Sequence, residues 1–286
     1  MRIGMPELRA LRAFAKSNTI LDHELNALDG FDTNCELAQR ARALRDTVTA
    51  PEPAPWPTTA AEVTDTWLDA ATTFDAASAD AQARRDLLSR VAATAEQQAF
   101  NVAELAGTAI LQNLHTRLLD TLEKVRNLKG LSGVTTAADA IVKDHTESTG
   151  RTSVDAWQTL TELSATYENI RDAQQKIMTL FFSEHLARYG SKTSPDPLAS
   201  ELHAQNLDAV WAPNWRDRTD TPWPADPVEK LLWLARSNAQ PWVPTPGQLK
   251  RATRERIEEA RTAPSQPGTP ALAQIRKPRQ SFGIYA

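Results

Sequence analysis

Five histidines and a single cysteine are the side chains best suited to metal or nucleophile chemistry, and their spacing argues against both. The histidines are His23, His115, His145, His185 and His203. None lies three residues after a glutamate, so the Glu-x-x-His pattern of di-iron bundles is missing. Asp22-His23-Glu24 sets three possible ligands in a row, but neighbours on a helix point in different directions and cannot converge on one ion. Cys35 has no partner for an intramolecular disulfide and is expected as a small buried side chain. The sequence holds no His-Glu-x-x-His, no phosphate-binding glycine loop, no dinucleotide fingerprint, no EF-hand loop and no Gly-x-Ser-x-Gly elbow. Carboxylates alternate with arginines, the ordinary pattern of a solvated helix face. No catalytic residue, metal or cofactor is therefore expected, and the reading points away from an enzyme.

Aromatic side chains offer a different chemistry, that of contact. Five of the eight tryptophans fall between residues 191 and 246: Trp211, Trp215, Trp223, Trp233 and Trp242. Flanking prolines give these indoles large apolar area at low ordering cost. They can pack back onto their own chain or onto a neighbour, and both readings stand at this point. Phe282, Ile284 and Tyr285 follow a run rich in proline, glycine and glutamine, and exposed apolar side chains in such a run are a liability unless they dock. Trp211, Trp215, Trp223, Trp242, Phe282, Ile284 and Tyr285 are the candidate interface.

Charge is divided unevenly. From residue 245 onward there are eight Lys/Arg against three Glu, a net +5; the preceding residues carry 24 basic and 33 acidic side chains, a net −9. Lys250, Arg251, Arg254, Arg276, Lys277 and Arg279 are thus candidates for meeting an acidic surface or a nucleic acid. Glu255, Glu258 and Glu259 share the helix of the first three, whereas nucleic-acid sites usually show a denser basic stripe.

These residues need elements to position them. Few glycines and abundant Ala, Leu, Arg, Glu and Gln favour helix, and no run reads as a strand. The expected fold is all-α: a long antiparallel, coiled-coil-like helical hairpin with short N-terminal helices and a Pro/Trp-rich C-terminal arm. Residues 1–50 form short helices, one of them from about Asn34 to Leu44. Pro51, Pro53, Pro55 and Pro57 make 51–57 an extended linker. Residues 58–190 hold the hairpin. Thr59-Ala60-Ala61-Glu62 reads as a capping box for a short helix through Trp67 and Leu68.

A long helix is then expected from about Ser78 to Lys129. Its seam is Leu111, Leu114, Leu118, Leu122, Val125 and Leu128, continued upstream by Val91, Ala95, Val102, Leu105 and Ala109, with a kink expected at Gly107. Its partner runs from Ser153 to Tyr189, with Trp157, Leu160, Leu163, Tyr167, Ile170 and Ile177 on its seam. Helices this long imply an elongated molecule. In the arm, 191–248, Asp196-Pro197 and Asp226-Pro227 read as helix starts. Residues 249–286 hold a basic helix and a docking tail.

Helical-hairpin secretion substrates of actinobacteria carry Trp-x-Gly at the turn and Tyr-x-x-x-Asp/Glu in the tail. Here the turn is Leu128-Lys129-Gly130-Leu131, and Tyr167 is followed at the fourth position by Arg171, so that family does not fit. In Ala/Thr/Arg/Asp usage, long hairpin, Pro-rich linkers and docking tail, the chain is similar to helical virion and assembly proteins of actinobacterial phages. No diagnostic motif underlies that likeness, so it assigns no residue a role. It implies a non-enzymatic structural or assembly protein whose partners are copies of itself or a particle shell. The alternative is a nucleic-acid-associated accessory protein using the basic helix.

The opening residues carry Glu7, Arg9, Arg12 and Lys16 through their apolar part, unlike a secretory signal. No apolar run approaches the ~18 residues of a membrane span. The expected location is the cytoplasm during assembly and then a virion.

Overall fold

The computed structural model describes residues 5–53, 55–147, 151–192, 194, 196–211 and 220–262, and the chain divides into two units, 1–246 and 247–286. Among the described residues the fold is all-α. The first unit holds α1 (Met5–Ser17), α2 (Thr19–Asn26), α3 (Phe31–Thr47), a 3₁₀ turn (Ala60–Glu62), α4 (Asp65–Arg126), α5 (Ala137–Glu147), α6 (Thr152–Phe181), α7 (Ser183–Tyr189), α8 (Leu207–Val210) and α9 (Pro227–Arg236). The second holds α10 (Pro246–Thr262), whose first residue closes unit 1. None of these helices is long and apolar enough to cross a membrane.

Helix α4 is the axis of unit 1. Its 62 residues span about 93 Å at ~1.5 Å per residue. It starts earlier than its leucine seam suggests, because nothing between Thr64 and Ser78 breaks a helix and alanine is frequent there. Thr64 is the N-cap, its hydroxyl accepting from the Trp67 amide at 3.2 Å. The expected capping box at Thr59 does not form: Thr59 makes no side-chain cap bond, the Glu62 carboxylate accepts instead from the Thr58 amide at 2.7 Å, and Trp67 and Leu68 belong to α4 rather than to a separate short helix.

The antiparallel hairpin is present. Ser153, at the start of α6, donates to the Gly130 carbonyl just beyond α4, and Phe181, at the end of α6, meets Phe100 edge-on at 5.4 Å. Leu111, Leu114, Leu118 and Leu122 are fully buried, as are Leu160, Tyr167, Ile170 and Ile177 of α6. The turn between them uses Gly130 and Gly133 at positive φ, where a side chain would be strained. At α5, Thr136 Oγ1 accepts from the Asp139 amide. The Asp139 carboxylate in turn accepts from Thr135 and Thr136. The Thr135 hydroxyl contributes most to holding that carboxylate down at about 2.

Three further expectations are corrected. Upstream of Gly107 the main partner of α4 is α3, not the continuation of α6. Helix α3 runs antiparallel along it: Glu24, ahead of α3, binds Asn113 and Arg117, Arg42 binds Glu96, and Val48 accepts from Arg85. The face between them is built from small residues, Ala38 and Ala41 against a stripe containing Ala92, Ala95 and Ala99. Leu105, expected in the seam, stands 86% exposed.

Second, α6 stops at Phe181, because Phe182 leaves helical geometry (φ −135°, ψ 36°). The Phe181 and Phe182 rings straddle Gly107, where an added Cβ would lie 3.2 Å from the Phe182 ring. Gly107 thus serves close approach within a continuous helix.

Third, Asp196 accepts from the Leu198 amide at 2.8 Å, but the segment after it is turns, with only Leu207–Val210 helical. Asp226, by contrast, caps α9 as expected, accepting from Val228 and Glu229.

Candidate functional site

Among the described residues no three His, Cys, Asp or Glu side chains are grouped to hold a metal. Glu24 spends its carboxylate on Asn113 and Arg117, and Cys35 is a free buried thiol raised by desolvation. The densest collection of titratable groups lies instead where the arm crosses α6.

Arg171, only 5% exposed, is its centre. Its guanidinium donates to Tyr167 Oη (3.2 Å), Gln174 Oε1 (2.8 Å), the Trp242 carbonyl (2.8 Å) and the His203 carbonyl (3.1 Å). Gln174 donates to the Leu202 carbonyl at 3.1 Å, and the Trp242 amide donates to the His203 carbonyl. One turn of α6 therefore satisfies three arm carbonyls from two separate stretches, 202–203 and 242. Such groups must find partners when they leave water.

Tyr167 Oη lies 3.2 Å from His203 Nε2. The run of donors from Arg171 through Tyr167 assigns His203 as the neutral tautomer with its proton on Nδ1, an atom with no partner. Desolvation pushes Tyr167 up to about 12 and His203 well below its usual range, with Arg171 adding to the effect on His203. The His203 ring stacks on Trp223 with centroids 4.2 Å apart. Lys230 of α9 stands over both Tyr167 (5.5 Å) and Trp223 (5.7 Å), and burial lowers its pKa. Burial raises Glu168, which lies near enough to Lys230 and Arg171 to be partly offset by them. At the arm's far end His115 Nδ1 accepts from the Val243 amide at 3.2 Å, and burial lowers its pKa too.

The candidate tryptophans divide on this geometry. Trp223 and Trp242 lie inside unit 1, 7% and 5% exposed, and Trp242 Nε1 donates to the Glu201 carbonyl at 2.7 Å. Of the two roles open to them, these indoles take the intramolecular one. Trp211 and Trp233 are half-buried against the same cluster, with Ala199, Ala204 and Leu207. Trp215, Phe282, Ile284 and Tyr285 lie outside the described residues, as do Arg276, Lys277 and Arg279. Lys250, Arg251 and Arg254 are exposed on α10, with Glu255 and Glu258 also exposed on that helix.

A second feature lies along the first turns of α4. The proline linker doubles back beside them: Trp67 Nε1 donates to the Pro55 carbonyl at 3.0 Å, and Trp56 meets Trp67 edge-on at 5.8 Å. Trp67, Ala71, Phe74 and Ser78 are only half-buried, and Trp56 (81%), Val63 (60%) and Leu68 (53%) are exposed. A separate cavity of about 410 Å³, between the α4–α5 turn and α9, is lined by Thr135, Thr136, Leu232, Trp233 and Arg236. Arg236 is committed to the Val134 and Leu131 carbonyls.

Arg171 was missed by sequence reasoning as a functional position. The signal was present: a charged residue on the seam of α6, one turn after Tyr167. No family model, no curated protein and no solved structure matches the chain.

Proposed function

We propose that the chain is a non-enzymatic structural or assembly protein that works through protein–protein contacts, with a phage particle as its setting and copies of itself or a shell as partners. One observation carries the reading. Trp56, Val63 and Leu68 each stand exposed between residues 56 and 68, where the proline linker forms a strap beside the first turns of α4; such exposure is costly for an isolated molecule and useful in an assembly. The polar groups at the α6–arm crossing support it, because Arg171, Gln174 and Tyr167 are committed to holding the arm.

Sedimentation of the chain in extracts of the cells that make it tests the reading. A particle of defined, large mass is expected, and Val63→Glu with Leu68→Glu should return the chain to its single mass of 31.5 kDa. Native chain that sediments alone overturns it. Exposure of Lys250, Arg251 and Arg254 favours a second reading, a nucleic-acid accessory role. DNA or RNA binding that falls steeply with salt would support that reading instead.

A further inference from the structure

The strap surface combines three properties. It is apolar, through Trp56, Val63 and Leu68, with half-buried Trp67, Ala71 and Phe74 beneath. It is lined with backbone that cannot donate, because Pro51, Pro53, Pro55 and Pro57 lack the amide hydrogen. And it is acidic: between Arg45 and Arg84 the chain holds seven carboxylates and no Lys or Arg. Three of the seven are engaged nearby, Asp46 with Arg45, Asp80 with Arg84 and Glu62 with Thr58. Glu52, Asp65, Asp69 and Asp75 remain exposed around the apolar patch.

The matching ligand is a peptide with several cations, no carboxylate and large apolar side chains close behind. Helix α10 does not qualify, because glutamates stand among its cations. One stretch of this sequence does. Residues 276–285 read Arg-Lys-Pro-Arg-Gln-Ser-Phe-Gly-Ile-Tyr, with three cations followed by three large apolar residues, and no acidic residue falls anywhere from 263 to 286. We infer that the strap surface binds residues 276–285 of a second copy of the chain. The inference rests on the assembly reading above and names its partner. Phe282, Ile284 and Tyr285 supply the area over Trp56 and Leu68, and Arg276, Lys277 and Arg279 meet the carboxylates. Each contact is weak alone and gains from repetition across many copies.

The probe is a fluorescein-labelled peptide of residues 274–286, titrated with the diluted full-length chain and read by anisotropy. Saturable binding is expected, weakening about tenfold when the Debye length is cut from ~10 Å to ~3 Å by raising salt. Asp69→Lys with Asp75→Lys should weaken it by a similar factor of about ten, without loss of helical signal, because both side chains are exposed. A peptide carrying Arg276→Glu and Lys277→Glu should recover affinity for that double variant. Three results overturn the inference: no binding at any dilution, as when the site is filled by the same chain's own segment; binding indifferent to both salt and the aspartate changes; or no recovery with the swapped charges. If the native chain sediments as a particle while the peptide fails to bind, the assembly reading stands and this one falls. If the peptide binds with the expected charge pattern while the native chain sediments alone, a second copy is excluded as the occupant and both readings fall.

Discussion

Between Ala92 and Val125, helix α4 buries at least one residue in every turn; between Asp65 and Ala81 it buries only Ala81. One helix thus holds together for two different reasons. The first segment is helical by local preference, with six alanines from 70 to 81, a threonine N-cap and an unbroken backbone. The later segment is helical because its leucines are taken out of water by α6 and its alanines by α3. The first is free to present apolar side chains to another molecule, and the second is not. Stability should therefore be concentrated in the second segment and contact in the first.

The largest expected effect tests the buried segment. Leu118 is fully buried, so Leu118→Ala should lower unfolding stability by about 2–5 kcal/mol in a denaturant titration. A change below about 0.5 kcal/mol, typical of surface positions, would erase the contrast.

Arg171→Met comes next. It keeps most of the volume but leaves the Trp242 carbonyl, Gln174 Oε1 and Tyr167 Oη without their Arg171 donor, while the His203 carbonyl keeps only the Trp242 amide. At ~1–3 kcal/mol for each buried group left unsatisfied, a loss of about 3 kcal/mol is expected. The arm should also become open to proteolysis between residues 191 and 246. An arm that stays resistant would mean its apolar contacts suffice without the guanidinium.

A smaller effect concerns pH. His203 and His115 are both held below their usual pKa by burial, so the folded arm prefers them neutral. Their contribution is fully present above the unfolded value of about 6.5 and is lost as pH falls below it. The groups facing His203 are Tyr167 and Arg171 of α6 and Trp223 and Lys230 of the arm; both cations oppose its protonation. Unfolding followed by tryptophan fluorescence should show stability falling from about pH 7.5 to about pH 5. His203→Gln should flatten that fall. An unchanged profile would place the acid sensitivity elsewhere. At the alkaline end the sign reverses: Tyr167, raised to about 12, should cost stability as pH climbs beyond the ordinary tyrosine value of about 10.

The smallest effect closes the comparison. Leu68→Ala should change stability by no more than about 0.5 kcal/mol, since the side chain is already half in water. If it costs as much as Leu118→Ala, the first turns of α4 belong to the core, and the surface assigned to contact is a structural one.

Much of the all-α framework was legible because local rules govern it. Asp226 before Pro227 and Thr136 before Ala137 mark helix starts through hydrogen bonds made within a few residues. The leucines from 111 to 122 step at a spacing that only a buried helix face explains. The α3–α4 contact was not legible, because its face is alanine, which serves surface and core alike and gives the pattern no contrast. The break at Phe182 was hidden as well, since nothing in its neighbours forbids helix; it follows from two phenylalanine rings closing around a glycine some 75 residues away, a distance along the chain visible in Phe182 against Gly107.

The sequence by itself determined where most helices form, the burial of the α4 leucines from 111 to 122 and how charge is divided along the chain, because period, capping and composition act over a few residues. Tertiary structure decided what each face meets. It made Tyr167 and Arg171, read as a failed motif, the pair that seats the arm, and it drew Trp223 and Trp242 into their own chain. It also left Trp56 and Leu68 exposed beside an acidic strap. The reason is that burial and hydrogen-bond satisfaction are properties of neighbours brought together by folding, and those neighbours lie 32 and 71 residues from Arg171 along the chain.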